Sequence, residues 1–164
     1  VFLGRYMASV SYDVPSGSPV VGRDRVFRML CRQLGELKQV GMREMCGVPT
    51  LIGECGIPFD IHSYRAYKTS NYVLNLRALD ATLSALEENL LGYALWCYEA
   101  DHSAQWGDGW NLEDFSIWSP ELHHTPGDPY SGGRALHAVA RPGATRVAGI
   151  PHTSRFHMQS GRYG

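Results

Sequence analysis

The sequence predicts an α/β fold, and three observations carry the prediction. Two long stretches repeat apolar residues at intervals of three and four, the period of a helix with one buried stripe. Each is followed by an apolar run of strand length. The order of helix, strand, helix, strand is that of a right-handed parallel unit.

At 164 residues the chain is long enough for one domain with a real core. Its 44% hydrophobic and 11% aromatic residues are globular values, and a net charge of -1 leaves no electrostatic footprint for nucleic acid. No apolar run reaches the roughly 20 residues of a membrane span. Cys31, Cys46, Cys55 and Cys97 form no CxxC pair and read as buried free thiols of a reducing compartment. Localisation is otherwise open, with a cytoplasmic or vacuolar setting placed ahead of secretion. Oligomeric state is open too.

Residues 1–22 mix apolar pieces with the turn-rich loop "VPSGSPVVG". The first helix follows, with Val26, Phe27, Leu30, Leu34, Leu37 and Val40 on one stripe and Asp24 as an N-cap or first-turn acid. Residues 50–54 read as a buried strand closed by a Gly-Ile-Pro turn. "DIHSYRAYKTSNY" reads as a polar, aromatic loop, with Ser70 or Asn71 capping the next helix. That helix carries Tyr72, Leu76, Leu79, Leu83, Leu86 and Leu90, and Gly92 stops it. "YALWCY" at 93–98 is the second buried strand. A long loop from Glu99 to Pro120 is rich in Trp, Asp, Glu and Gly, and loops of that length are often functional. A short helix stopped by Pro142 and an extended tail complete the chain. Two parallel strands cannot build a sheet with a core on both faces, so the chain reads as a piece of a larger α/β protein.

Glu54 is a carboxylate at the end of an apolar strand, where charge is costly. It is either paired structurally or placed at the mouth of a site. Trp96, Tyr98 and Glu99 stand at the end of the next strand. An acid beside an aromatic wall suits sugar chemistry, in which a carboxylate stabilises an oxocarbenium-like centre and an indole packs on the C–H face of the ring. Taken singly, an acid placed like Glu54 is more often a capping or salt-bridge residue, and an indole placed like Trp96 is more often core. The histidines lack HxxxH or HxH spacing, so no metal is expected.

"LIGECGIPFD", "YRAYKTSNY", "YALWCYEADHSAQWGDGWNLEDFSIWS" and "GGRALHAVARPGATRVAG" occur in the order seen in one branch of glycoside hydrolase family 5. The chain resembles the fungal, endoglycoceramidase-related enzymes of that branch from about residue 24 onward. They act as glucosylceramidases and steryl β-glucosidases. The resemblance implies a partial TIM (β/α)8 barrel over 1–142, with its last two strands at 50–54 and 93–98, and the start of a C-terminal β-sandwich over 143–164.

The resemblance also makes Glu54 the nucleophile of a retaining β-glycosidase and Trp96 the aromatic floor beneath the cleaved sugar. It places Trp106, Asp108, Trp110, Asn111, Glu113 and Asp114 on a loop that helps to shape a glucoside pocket. Tyr98 and Glu99, from their place at the strand end, join them as candidate substrate-binding residues. The partner implied is a glucoside of a lipid, ceramide or sterol, and no cofactor is called for. Three departures stand out. The family's Asn-Glu-Pro acid/base motif is absent, Glu99 is an acid where the branch has none, and Leu112 replaces the glycine usual between Asn111 and Glu113. A glycine there would take a positive φ without cost. The alternative reading is a truncated, pseudogene-like remnant without catalytic activity.

Overall fold

The computed structural model describes residues 9–158 and 162–163. The apolar residues within 1–8 lie outside them. Residues 10–21, expected as a loop, form an antiparallel hairpin of β1 (Val10–Asp13) and β2 (Ser18–Val21). The strands are four residues each, too short for alternation to stand out beside Pro15 and Pro19. Asp13 ties the hairpin to the helix that follows, accepting from Arg32 at 2.6 Å and Gln33 at 2.9 Å.

That helix, α1 (Arg23–Glu44), begins after Gly22, whose φ of 109° suits glycine. Asp24 lies in its first turn rather than at the cap. Its stripe is only partly covered: Val26 is buried, whereas Leu37 and Val40 are exposed. Asn89 joins α1 to the second long helix, donating to the Cys31 carbonyl at 3.0 Å, while Lys38 reaches the Asn89 carbonyl at 2.7 Å.

β3 (Leu51–Cys55) and β4 (Gly92–Leu95) pair in parallel. Between them the chain forms α2 (Ile61–Thr69) and α3 (Val73–Glu88). α2 was expected as loop, and its sequence shows why: Ala66 is its one buried residue, so no apolar stripe betrays it. Its first turn is left-handed at His62, Ser63 and Tyr64. Ser70 ends α2 in a left-handed conformation. The N-cap of α3 is Tyr72 rather than Ser70 or Asn71, although Asn71, one residue earlier, accepts from the Val73 amide at 3.1 Å.

α3 buries Leu79, Leu83 and Leu86 as its stripe predicts. They form the core with Ile57, Phe59, Leu91, Ala135 and Ala138, the last from α4 (Leu136–Val139). Ile52 and Cys55 of β3 and Tyr93 and Leu95 of β4 pack against that cluster. Gly53, Glu54 and Ala94 are exposed. Both strands were expected to be buried on two faces; only the face toward the helices is covered. β4 also stops at Leu95 instead of residue 98, because the Cys97 backbone pairs with Phe115 and Ile117 of the following loop. The Trp96–Cys97 peptide is cis.

After α4 the tail is pinned by Arg141, which binds Asp80 at 2.8 Å and Glu87 at 2.6 Å. Glu87 in turn accepts from the Phe156 amide at 3.0 Å. β5 (Phe156–His157) and β6 (Arg162–Tyr163) then pair antiparallel.

Candidate active site

The register of the two parallel strands explains where Glu54 points. Ile52 pairs with Tyr93 and Cys55 with Leu95, so three steps along β3 match two along β4. The extra residue is a β-bulge at Gly53–Glu54, and bulges re-aim side chains. Regular alternation would turn Glu54 the same way as Ile52, into the helix layer. With the bulge, Cys55 takes the inward position, and Glu54 is exposed. Its carboxylate makes no hydrogen bond or ion pair to another described residue. Among the described residues the acid at the strand end is therefore unpaired. A glycine inside a strand is the sequence signal for such a bulge, and Gly53 carries it.

Trp96 follows β4 beside this position, its amide donating to the Cys55 carbonyl at 2.8 Å. The indole Nε1 donates to Glu113 Oε1 at 3.0 Å, which holds the ring in one orientation. Gly56 allows this closeness, since a Cβ there would overlap the Trp96 carbonyl oxygen. Trp96 and Glu113 thus meet next to the strand end that carries Glu54.

Glu113 is delivered by a hairpin in the loop after β4. Its turn, Trp110–Glu113, has positive φ at both central residues, Asn111 at 48° and Leu112 at 58°, and closes by a 3.0 Å bond from the Glu113 amide to the Trp110 carbonyl. That is the type I′ arrangement. The turn forms despite the leucine, with the side chain 89% exposed. Asp108 braces the hairpin. Its carboxylate accepts from the amides of Trp110 at 3.2 Å and Phe115 at 3.1 Å, and from the Cys97 thiol at 3.3 Å. Burial, aided by Asp108, pushes the Cys97 thiol up to about 12, so its sulfur keeps the proton it donates.

Asp114 lies deeper still. Both its oxygens meet the Arg134 guanidinium, at 2.8 and 2.5 Å. Arg134 also donates to the Ser116 carbonyl, reaches the Tyr67 hydroxyl at 3.4 Å and stacks 4.2 Å over the Phe59 ring. His102 Nδ1 is 2.8 Å from Ser119 Oγ, and its Nε2 sits 3.0 Å from Asp114 Oδ2 without hydrogen-bond alignment. Burial, with the Arg134 charge behind it, pulls the His102 pKa down to about 4, so the ring is neutral at pH 7. Asp108 and Asp114 therefore spend their carboxylates on the loop itself.

Sequence reasoning did not single out Arg134 or the structural part of His102, because their partners are distant in the chain. The only local trace is Gly132–Gly133, where side chains would collide with Trp118 and Leu136. Among the other expected residues, Tyr98, Trp106, Trp110 and Asn111 are exposed. Tyr98 packs near Trp118, with ring centroids 5.9 Å apart. Glu99 turns back on its own loop, accepting from the Asp101 amide at 2.9 Å. Among the described residues no group of three or more His, Cys, Asp or Glu could hold a metal. No described helix is long and apolar enough to cross a membrane.

This corner can be set beside known proteins. No family model matches the chain. It is 35% identical to a glucosylceramidase of Rhizopus delemar, across 99% of this chain and 27% of that protein. It is 42% identical to an ergosteryl-beta-glucosidase of Saccharomyces cerevisiae, across 72% of this chain and 16% of that protein. The crystal structure of Cryptococcus neoformans sterylglucosidase 1 with tris superposes with a TM-score of 0.87 at 28% identity, covering 98% of this chain and 25% of that one. The likeness is to fungal glucosidases. The chain spans about a quarter or less of the length of these relatives, and its mixed α/β fold resembles part of the sterylglucosidase structure.

Proposed function

We propose that this chain supplies the nucleophile half of a retaining β-glucosidase site of glycoside hydrolase family 5 that acts on lipid-linked glucosides, glucosylceramide or a sterol glucoside. The observation that carries the reading is the bulge, which turns Glu54 away from the helix layer, without a partner among the described residues, at the strand end where Trp96 follows the neighbouring strand with its indole held by Glu113. The names of the relatives support the substrate class. In this reading β3 and β4 are the seventh and eighth strands of a (β/α)8 barrel, and residues 143–164 begin a C-terminal β domain.

The chemistry follows from the two-carboxylate scheme. A Glu54 oxygen attacks the anomeric carbon as the glycosidic C–O bond breaks. A second carboxyl, about 5–5.5 Å away, protonates the departing lipid oxygen and later takes a proton from the water that releases the glycosyl ester. That second carboxyl comes from outside these 164 residues, since no Asn-Glu-Pro occurs in them. Trp96 is the floor under the sugar, and Glu113 fixes its angle. Tyr98, Glu99, Trp106, Trp110 and Asn111 form the rim, while Asp108 and Asp114 hold the loop that carries it.

A fluoro-glucoside trap tests this, applied to a longer polypeptide that adds the relatives' preceding strands to this chain. Peptide mapping is expected to find the label on Glu54; label on Glu99 with none on Glu54 overturns the assignment. The 164 residues alone are expected not to hydrolyse aryl β-glucosides, because the acid/base contributes typically about 10²–10⁴-fold in rate. Turnover by them that disappears in Glu54→Gln would point to Glu99 as a substitute acid.

A further inference from the structure

Leu112 occupies a position that packing does not explain. A left-handed backbone costs a non-glycine residue about 1–2 kcal/mol, and this side chain, 89% exposed, gains no burial in return. Trp106 and Trp110 flank it at 65% and 64% exposure. The three side chains are not on a loose loop. Asp108 accepts from two backbone amides, the Asp108 amide bonds the Glu113 carbonyl at 3.0 Å, and Ser103 bridges Gly107 in both directions. A braced, strained turn thus holds two indoles and a leucine away from the protein. Strain kept without a packing return points to use outside the molecule.

The charges around the tip narrow what it meets. Residues 99–114 contain Glu99, Asp101, Asp108, Glu113 and Asp114 but no Lys or Arg. Asp108 and Asp114 are buried and bonded internally, so the tip itself offers indole and aliphatic surface above an acidic base. That chemistry repels an anionic surface. It complements a quaternary ammonium, which aromatic faces bind through cation–π attraction, and Trp settles at the headgroup level of bilayers.

We propose that the 106–112 hairpin is an interfacial anchor, inserting Trp106, Trp110 and Leu112 into the headgroup layer of a neutral, choline-bearing lipid surface. The choice of lipid over a protein partner rests on the lipid-glucoside reading above; the outward-facing tip does not. The anchor sets the Trp96 floor, one hydrogen bond from the same hairpin, where the sugar of a membrane-borne glucoside emerges while its aglycone stays in the lipid.

The test uses the 164-residue chain with phosphatidylcholine vesicles free of any glucoside, read by co-sedimentation and by tryptophan emission. The wild type is expected to sediment with the vesicles and shift its emission to the blue. Leu112→Gly relieves the left-handed strain, so its Tm should be equal or higher, yet its partitioning should weaken about tenfold with the loss of a buried leucine. The double variant Trp106→Ala, Trp110→Ala should lose binding, and added phosphatidylserine should weaken that of the wild type. Absence of binding by the wild type overturns the proposal. So does equal binding by all variants, which would assign the effect to other exposed apolar residues such as Met45 and Leu51. Stronger binding to phosphatidylserine would overturn it as well. No glucoside or turnover enters the measurement, so its failure leaves the Glu54 labelling experiment standing, and the reverse holds.

Discussion

The strands β3 and β4, apart from the bulge at Gly53–Glu54, form a short parallel pair with one face covered by the leucines of α3 and the other exposed. The loop at 97–134 has almost no regular structure, yet it keeps buried Asp108, Asp114, Ser116, Ser119 and Arg134, each with a hydrogen-bond partner. In the sheet, apolar burial does the holding, and its carboxylate, Glu54, stays outside. In the loop, charge does the holding. Hydrophobic burial is non-directional, whereas a bidentate guanidinium–carboxylate pair fixes angle as well as distance. The difference teaches where precision comes from: the sheet supplies a platform, and the loop supplies the geometry that aims Glu113 at Trp96.

The largest expected effect breaks the loop. Arg134→Met leaves the Asp114 carboxylate buried without its ion-pair partner, which costs about 3–5 kcal/mol. Denaturant unfolding should show that loss. The double variant Arg134→Met, Asp114→Leu should recover much of it, because removing both charges avoids the unpaired one. If the double variant is worse than the single, charge pairing is not what holds the loop.

The next effect strikes the joint between the two regions. Gly56→Ala pushes a methyl group into the Trp96 carbonyl, a backbone atom that cannot rotate aside. Overpacking of this kind costs about 1–3 kcal/mol, sometimes more. The variant should lose thermal stability and, in particular, the Trp96 environment seen by near-UV circular dichroism. Gly53→Ala on the bare face meets nothing within 4 Å, so it provides the contrast.

A third effect separates the regions by pH. The folded His102 pKa is about 4, against 6.5 when unperturbed. Between those values the unfolded chain binds a proton that the folded chain refuses, so stability falls as pH drops from about 6.5 toward 4. His102→Gln should flatten the dependence of Tm on pH in that window. An unchanged slope would show that the loop does not keep the ring neutral.

The contrast also sets what the sequence could tell. The stripes of α1 and α3 are visible because burial on one helix face leaves a 3.6-residue period, and Leu79, Leu83 and Leu86 lie where that period puts them. Glu54 stands out for the related reason that a charge interrupts an apolar run. The hairpin at 10–21 and α2 leave no such period, the one being made of four-residue strands and the other burying a single residue. Arg134 is illegible in principle: its partners are 18, 20 and 67 residues away, and nothing local distinguishes it from a surface arginine. Pattern reading finds what is repeated along the chain. A buried ion pair is met only in three dimensions.

The smallest expected effect on stability is the one most informative about function. Glu54 is exposed and has no ion-pair or hydrogen-bond partner among the described residues, so Glu54→Gln removes no interaction that the fold uses. Surface changes of this sort stay within about 0.5 kcal/mol, and the Tm of the variant should match that of the wild type. A salt-bridge acid would behave otherwise, since its loss leaves a partner unpaired. The same substitution should abolish labelling by the fluoro-glucoside in the longer polypeptide, because an amide oxygen cannot form the glycosyl ester. Unchanged stability with lost labelling would place Glu54 among residues kept for chemistry. A Tm lowered by several degrees would instead mean that the carboxylate has a structural partner and that the bulge serves the fold.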